Sequence, residues 1–400
     1  MNLDTLAWLQ SPPGQTLLAE LAGREIADAD VLGELTRLRR SYTPDQASAA
    51  VELSLLRRRA AAKFPAAACM FFTREALEQA SASPVATHRA VRLSSYGQVA
   101  DLCCGIGGDA LAIAESGAHV LAVDRDELRL ALATANAAAL GLTERIRFIQ
   151  RDLLAEDPPS AEAIFCDPGR RAGGRRRFHV SEYEPPLDHI LAWRTHTPTL
   201  VVKLSPGVDV AELPADGIER EFVSLDGELK EAALWCGPLA GTRRRATLLR
   251  TGLGGETQIY TIASDQPTSP SSLILPPASF LYEPDPAVIR AGLVTDLAEQ
   301  IGADQLDPNI AYLTSADRVA TPFARVWPVI SWQPFSLKRL RASLRELGGG
   351  PVTVKKRGSP IDTDALARQL SGDGSRPLVV VLTQHRGQPI CLICNPPVVH

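Results

Sequence analysis

Between residues 98 and 124 the chain changes rhythm, and that change constrains its fold more than any other feature. The apolar run Val99–Cys104 leads into Gly105-Ile106-Gly107-Gly108-Asp109 and then a helical stretch, Asp109–Glu115. A second apolar run, His119–Val123, ends in Asp124. Glycines between a strand and a helix permit a tight turn and let a ligand approach where a Cβ would stand in its way. The helix start behind them offers unpaired N–H groups. An acid ending the second strand can accept hydrogen bonds from ribose hydroxyls. The alternation continues through a helix over Glu127–Leu140, strands over Ile146–Gln150, Ala163–Cys166 and Leu200–Leu204, and a helix over Leu187–Arg194. This β-α-β-α order predicts an α/β fold with a parallel sheet covered by helices.

The flanks read differently. Residues 1–90 carry apolar positions at helical spacing, as in Val51-Glu52-Leu53-Ser54-Leu55-Leu56. Thr43-Pro44-Asp45 reads as a helix start, with Thr43 the cap and Pro44 the first helical residue. Ala232–Cys236 and Arg245–Arg250, with no long helix between them, suggest an antiparallel pair at the end of the sheet. Residues 253–330 read as a linker followed by a mixed segment. Residues 331–400 read as a small α+β unit: a basic helix Leu337–Leu347, strands Val352–Lys356, Leu378–Leu382 and Pro389–Cys394, and a helix Asp362–Leu370. The expected divisions are therefore three domains, 1–90, 91–252 and 331–400, with 253–330 a linker and mixed segment, compatible with the two or three domains that 400 residues suggest at about 150 each.

Composition excludes some classes. Apolar residues at 45% and charged residues at 22% are those of a chain able to bury a core. The start lacks a basic n-region and a long apolar stretch, so no signal peptide is expected, and no window is long enough for a membrane span. Seven scattered cysteines, several in apolar runs, fit reduced thiols and a cytoplasmic protein. Cys391-Leu392-Ile393-Cys394 has no second pair to complete a zinc site, the histidines lack ligand spacing, and no metal is expected.

The charges around the glycines select among ligands. Gly105, Gly107 and Ala110 meet the spacing of a dinucleotide site, but Asp101 ends the first strand and Asp109 sits beside the loop, where negative charge repels a pyrophosphate and tolerates a ligand bearing an ammonium and a sulfonium. Beyond Asp167-Pro168, Gly169 is followed by Arg170, Arg171, Arg175, Arg176 and Arg177. That cluster suits a phosphate-bearing substrate or is a solvated face. Arg170 either stacks or binds phosphate through its guanidinium plane, or pairs with a nearby carboxylate. Arg243-Arg244-Arg245 and Lys355-Lys356-Arg357 either extend this surface or are solvated faces.

Asp101-Leu102-Cys103-Cys104-Gly105-Ile106-Gly107-Gly108 resembles the first motif of class I S-adenosylmethionine-dependent methyltransferases, whose sheet is Rossmann-like. Val120–Asp124 resembles their second motif, Gln150-Arg151-Asp152-Leu153 the acidic position after the third strand, and Ile164-Phe165-Cys166-Asp167-Pro168 the fourth motif. The resemblance implies that S-adenosyl-L-methionine meets Asp101, Cys103, Gly105, Gly107, Asp124, Arg125, Asp152 and Leu153, and that Asp167 and Pro168 face the transferred methyl. Phe71-Phe72-Thr73 resembles an aromatic-Thr stretch that folds over the cofactor in related enzymes, which would add Thr73; the alternative is core packing. The run from Asp101 to Pro168 looks most like the trimethylguanosine synthase branch, which methylates an exocyclic amine. It departs from that pattern where Gly169 and Arg170 replace a proline and an aromatic ring. The tail, Ser336–Arg341 with Val354–Gly358, resembles the THUMP-like domain of a bacterial group of methyltransferases. THUMP domains proper bind RNA, often tRNA. The expectation is an RNA methyltransferase; its rivals are a small-molecule methyltransferase with an anionic substrate and a non-catalytic RNA-binding module.

Overall fold

The computed structural model of the chain describes every residue except 170, 173–174, 177–178, 215, 253, 268–273 and 398–400. It divides into two compact units, Met1–Ile218 with Glu231–Gly241, and Glu219–Lys230 with Thr242–His400.

The first unit opens with helices α1 (Leu3–Gln10), α2 (Pro12–Ala22), α3 (Val31–Leu38), α4 (Pro44–Ala60), α5 (Arg74–Gln79) and α6 (Ser83–Leu93). The start of α4 is the expected one. Thr43 Oγ1 accepts from the Gln46 amide at 3.3 Å, Gln46 Oε1 accepts from the Thr43 amide at 3.1 Å, and Pro44 follows the cap. Gly14 lets α2 close on α1, because a Cβ there would lie 2.2 Å from the Trp8 carbonyl oxygen. These helices have no core of their own: Leu17, Leu53 and Phe72 belong to the same apolar cluster as Ile113, Leu132 and Phe165.

Beyond α6 the chain runs β1 (Gln98–Leu102), α7 (Gly108–Glu115), β2 (His119–Asp124), α8 (Glu127–Ala139), β3 (Ile146–Gln150) and β4 (Ala163–Cys166). A two-residue ribbon, β5 (Arg171–Ala172) with β6 (Arg175–Arg176), precedes α9 (Leu187–Ala192), β7 (Leu200–Leu204), β8 (Ile218–Leu225) and β9 (Glu228–Cys236). Within the first unit the order is β3-β2-β1-β4-β7-β9. All neighbours are parallel except β9, which runs antiparallel to β7. Parallel strands are covered on both faces, hence the unbroken apolar run of β4, every residue of which is buried. The order turns back at β1, which lies between β2 and β4. Open α/β sheets bind ligands at such a point, beyond the carboxyl ends of the strands.

The second unit places β10 (Arg244–Thr251) parallel to β8 and antiparallel to β11 (Thr257–Ser264). The expected pairing of Ala232–Cys236 with Arg245–Arg250 is therefore not formed: the former pairs with β7 and the latter with β8 and β11. The cause is β8, whose Glu219 and Glu221 disguise a buried strand. Glu219 accepts from Arg245 Nε at 2.7 Å, and Glu221 from the Thr247 hydroxyl at 2.5 Å.

The chain continues through β12 (Phe280–Pro284), α10 (Pro286–Arg290), α11 (Val294–Ile301), β13 (Asp304–Asp307), β14 (Ile310–Ser315), β15 (Ala324–Pro334), α12 (Leu337–Glu346), β16 (Gly349–Lys356), α13 (Thr363–Leu370), β17 (Arg376–His385) and β18 (Gln388–Cys394). The stretch read as linker and mixed segment thus carries β11 to β14 and most of β15. The sheet order is β13-β14-β12-β15-β18-β17-β16. Alternation along β17 explains its two-sided burial: Leu378, Val380 and Leu382 meet Leu340 and Leu366 of the helices, while Val379 and Val381 meet Tyr312 and Trp327. Cys391 and Cys394, three apart on β18, belong to these opposite clusters. Among the described residues, no helix is long and apolar enough to cross a membrane, and no cluster of His, Cys, Asp and Glu could hold a metal ion.

Candidate active site

The carboxyl ends of β1, β2, β3 and β4 border a cavity of about 360 Å³ in the first unit. Its floor is the glycine turn. Gly105 and Gly107 adopt φ of +56° and +85°, conformations that a Cβ disfavours. A Cβ on Gly107 would also stand 3.2 Å from the Ala133 Cβ of α8. Asn136 of α8 fastens this turn. Its amide donates to the Ile106 carbonyl at 3.0 Å and the Phe71 carbonyl at 3.2 Å, and its oxygen accepts from the Phe71 amide at 2.6 Å.

Three acids line the cavity floor. Asp101 is fully buried, and neither carboxylate oxygen has a partner among the described residues. Burial, then the neighbouring Asp109 and Asp167 carboxylates, push its pKa well above the usual range. An unpartnered buried carboxylate of this kind fits a cationic group, whose charge would favour its ionised form. Asp124 accepts from the Gly105 amide at 2.9 Å and the Asp126 amide at 3.0 Å. Burial raises its pKa, and those two amides partly offset the rise. Asp109 is one side of a buried cluster: Arg89 of α6 bonds both Asp109 and Glu231, and donates to the Ser81 hydroxyl at 2.8 Å. Burial opposes the ionisation of Asp109, but the Arg89 guanidinium overrides it and holds the pKa below the usual value. Burial dominates at Glu231, whose pKa is raised.

The fourth-motif acid has a partner that the sequence did not reveal. The register Cys166↔Val202 sets Asp167 beside Lys203 of β7, and Lys203 Nζ lies 2.5 Å from Asp167 Oδ2. Lys203 is 5% exposed, whereas the Asp167 side chain is 24% exposed and borders the cavity with Pro168.

Of the other expected residues, Cys103, Gly105, Arg125, Asp152 and Leu153 line the cavity. Arg125 donates to Glu184 at 2.9 Å, and Asp152 accepts from the Leu154 amide at 3.0 Å. Gly107 acts from below as the N-cap of α7. Thr73 does not border the cavity: its hydroxyl caps α5 by accepting from the Ala76 amide at 3.3 Å, and α5 supplies Glu75, Ala76, Glu78 and Gln79 to the wall. Phe71 and Phe72 are buried in the core, the other reading of that stretch. Arg170 and Arg177 lie outside the described residues. Arg171, Arg175 and Arg176 form the backbone ladder of the ribbon β5–β6. Its root is fixed in the cavity wall, where the Gly169 amide donates to Glu184 O at 2.8 Å and the Glu184 amide to Gly169 O at 2.9 Å. Of residues 243–245, read either as more basic surface or as a solvated face, two are neither: Arg244 is buried against Gln266, Gly292 and Asp296, and Arg245 pairs with the buried Glu219.

If Asp124 receives ribose hydroxyls, Asp124→Ala should weaken S-adenosylmethionine binding by about 1–3 kcal/mol, through loss of a charged acceptor. Calorimetry that finds parental affinity in this variant removes Asp124 from the cofactor site.

Comparisons with known proteins bear on this cavity. The family described as a methyltransferase domain matches residues 99–167, one described as THUMP domain-like matches residues 324–396, and one described as a domain of unknown function matches residues 2–60. Two Mycobacterium tuberculosis proteins, from strains CDC 1551 / Oshkosh and H37Rv, are described as uncharacterized S-adenosylmethionine-dependent methyltransferases. Each is 41% identical to this chain over 354 residues, covering 85% of this chain and 93% of theirs. A 23S rRNA (uracil(1939)-C(5))-methyltransferase of Acidithiobacillus ferrooxidans is 35% identical over 99 residues, 21% of this chain and 22% of that protein. A crystal structure of a candidate methyltransferase from Porphyromonas gingivalis W83 shares the fold, with TM-score 0.69 at 19% identity, covering 93% of this chain and 99% of that one.

Proposed function

The chain belongs to the S-adenosylmethionine-dependent methyltransferases, and from that premise we propose that it methylates RNA, at an exocyclic amine of a base. S-adenosylmethionine, when bound, supplies an electrophilic methyl group. The chain's own residues hold and orient the two reactants, which is most of what an in-line displacement needs. Asp101 is the buried anion for the cofactor's ammonium, Asp124 receives the ribose and Asp152 the adenine. Cys103, Gly105, Arg125 and Leu153 line the same site, and Gly107 shapes its turn.

Lys203 occupies Oδ2 of Asp167 and so leaves Oδ1 to a substrate amine. The amine donates one hydrogen to Asp167 and another to the Pro168 carbonyl, which aims the nitrogen lone pair. Asp167 accepts the proton released as the nitrogen–carbon bond forms.

The observation that carries the RNA reading is the ribbon's root. The chain passes from Pro168 into a ribbon fastened to the cavity wall at Gly169 and Glu184, so the backbone of Arg171, Arg175 and Arg176 is tethered close to the cavity. The THUMP-like match and the rRNA target of the A. ferrooxidans relative support the same reading. Methyl transfer from labelled cofactor into total RNA, against a metabolite extract, tests it: label in the extract alone overturns it.

Replacing Arg175, Arg176 and Arg177 together with Ala should flatten the salt dependence of RNA affinity by about 2 log units per log unit of salt, at about 0.7 per phosphate contact on a single strand. Cofactor affinity should be unchanged. A parental slope in the triple variant takes these arginines out of the interface.

A further inference from the structure

The second unit holds a cavity of about 240 Å³ that methyl transfer does not use. Arg250 of β10, Arg325 of β15, and Lys355 and Arg357 at the end of β16 border it, together with Glu283 and Asp285 at the end of β12. Four cations thus face two carboxylates, and both carboxylates are committed. Asp285 is 5% exposed; it accepts from Arg250 at 3.1 Å and, through its other oxygen, from the Ala287 amide at 3.0 Å as the cap of α10. Glu283 is shared between Lys355 and Arg357, the latter at 3.8 Å. Arg325 is exposed and meets no carboxylate among the described residues.

The cationic arms are also held in place. Lys355 Nζ lies 4.5 Å from the centroid of the Trp327 ring, and the Arg357 guanidinium 5.3 Å from that of Tyr312. The rest of the wall is compact, formed by Gly227, Pro284, Pro286 and Ala324. A Cβ on Gly227 would lie 3.3 Å from an Arg250 nitrogen, so the smallest residue keeps that side of the cavity clear.

Two uncompensated positive charges in a concave, partly enclosed site repel each other until an anion enters. From this arrangement we infer that the cavity binds a phosphate monoester. A monoester carries close to two negative charges near neutral pH, which matches the excess charge, and offers three free oxygens to the surrounding donors. A phosphodiester carries one charge, and a carboxylate offers one charge on two oxygens. Guanidinium forks at Arg325 and Arg357 suit the tetrahedral oxygens. The group can be the end of an RNA chain or a free phosphate, and the chemistry is the same for both. The inference rests on residues of the second unit alone and stands apart from the methyl-transfer reading.

The full-length chain titrated with inorganic phosphate at low salt should show saturable heat. Arg325→Ala, at an exposed position whose loss leaves the ion pairs of Asp285 and Glu283 intact, should weaken that affinity about tenfold, the effect of one charge-assisted contact. Arg357→Ala should do the same. An RNA oligonucleotide carrying a 5′-phosphate, compared with its 5′-hydroxyl counterpart, separates the two sources. A preference for the phosphorylated strand that Arg325→Ala abolishes assigns an RNA end. Equal binding of both strands beside Arg325-dependent phosphate binding assigns a small phosphate. The site is refuted when neither phosphate nor the phosphorylated strand binds in an Arg325-dependent manner. Cofactor affinity should be parental in both variants, and an absence of RNA methylation leaves the phosphate titration unaffected, so the two readings fail separately.

Discussion

Asp167→Asn is expected to slow methyl transfer by about 10²–10⁴-fold while leaving S-adenosylmethionine affinity unchanged, the range associated with loss of a positioned proton acceptor. Asn keeps the shape of the side chain and an oxygen for Lys203, so the buried ammonium retains a partner and the fold is spared. What Asn cannot do is take a proton. Single-turnover transfer beside cofactor calorimetry separates the possibilities. Full turnover removes Asp167 from the chemistry, and joint loss of cofactor affinity and transfer marks it as a residue that shapes the cofactor site instead. Asp167→Ala is the weaker experiment, because it takes from Lys203, 5% exposed, the carboxylate it bonds directly.

Arg89→Met should produce the largest loss of stability, about 3–5 kcal/mol, the usual cost of removing one partner from a buried ionic cluster. Arg89 is 1% exposed, bridges Asp109 and Glu231, and lies with its guanidinium 5.0 Å from the Phe165 ring centroid. Met replaces its length but not its charge, and leaves two carboxylates close together in a region that already contains Asp101. Urea denaturation of the parent and variant gives the difference. A loss under about 1 kcal/mol would mean that the carboxylates are neutralised by protonation without the guanidinium.

The parts of the cavity that were legible in the sequence are those whose place is tied to chain position. Asp101, Asp124, Asp152 and Asp167 fall where successive strands end, and Gly105 and Gly107 where a strand turns into a helix, so local pattern alone locates them. The undisclosed parts depend on partners distant in the chain. Arg89 meets Glu231 across 142 positions, Asn136 meets Phe71 across 65, and Lys203 meets Asp167 across 36. Each alone looks like an ordinary helical or strand residue. β8 escaped for a related reason. Its alternating acids look like a solvated edge until Arg245 and Thr247 of β10 are placed beside them. Thr73 was ambiguous in the sequence because a threonine before a short helix fits equally well as a cap, which it forms here, or as a contact for a ligand.

The path of the chain through its two units bears on how it is made. Glu219–Lys230 belongs to the second unit, yet it is translated before Glu231–Gly241 completes the first. A chain emerging from the ribosome therefore exposes the β7 edge, and holds Arg89 without its second carboxylate, until residue 236 is outside. At about 5–20 residues per second, that wait is a few seconds for the β7 edge and on the order of ten seconds for Arg89. A fragment stopped at residue 218 would lack both the closing strand and Glu231. The methyltransferase core is thus not a detachable module that ends where its last parallel strand ends, and expression trials that cut there should give insoluble product.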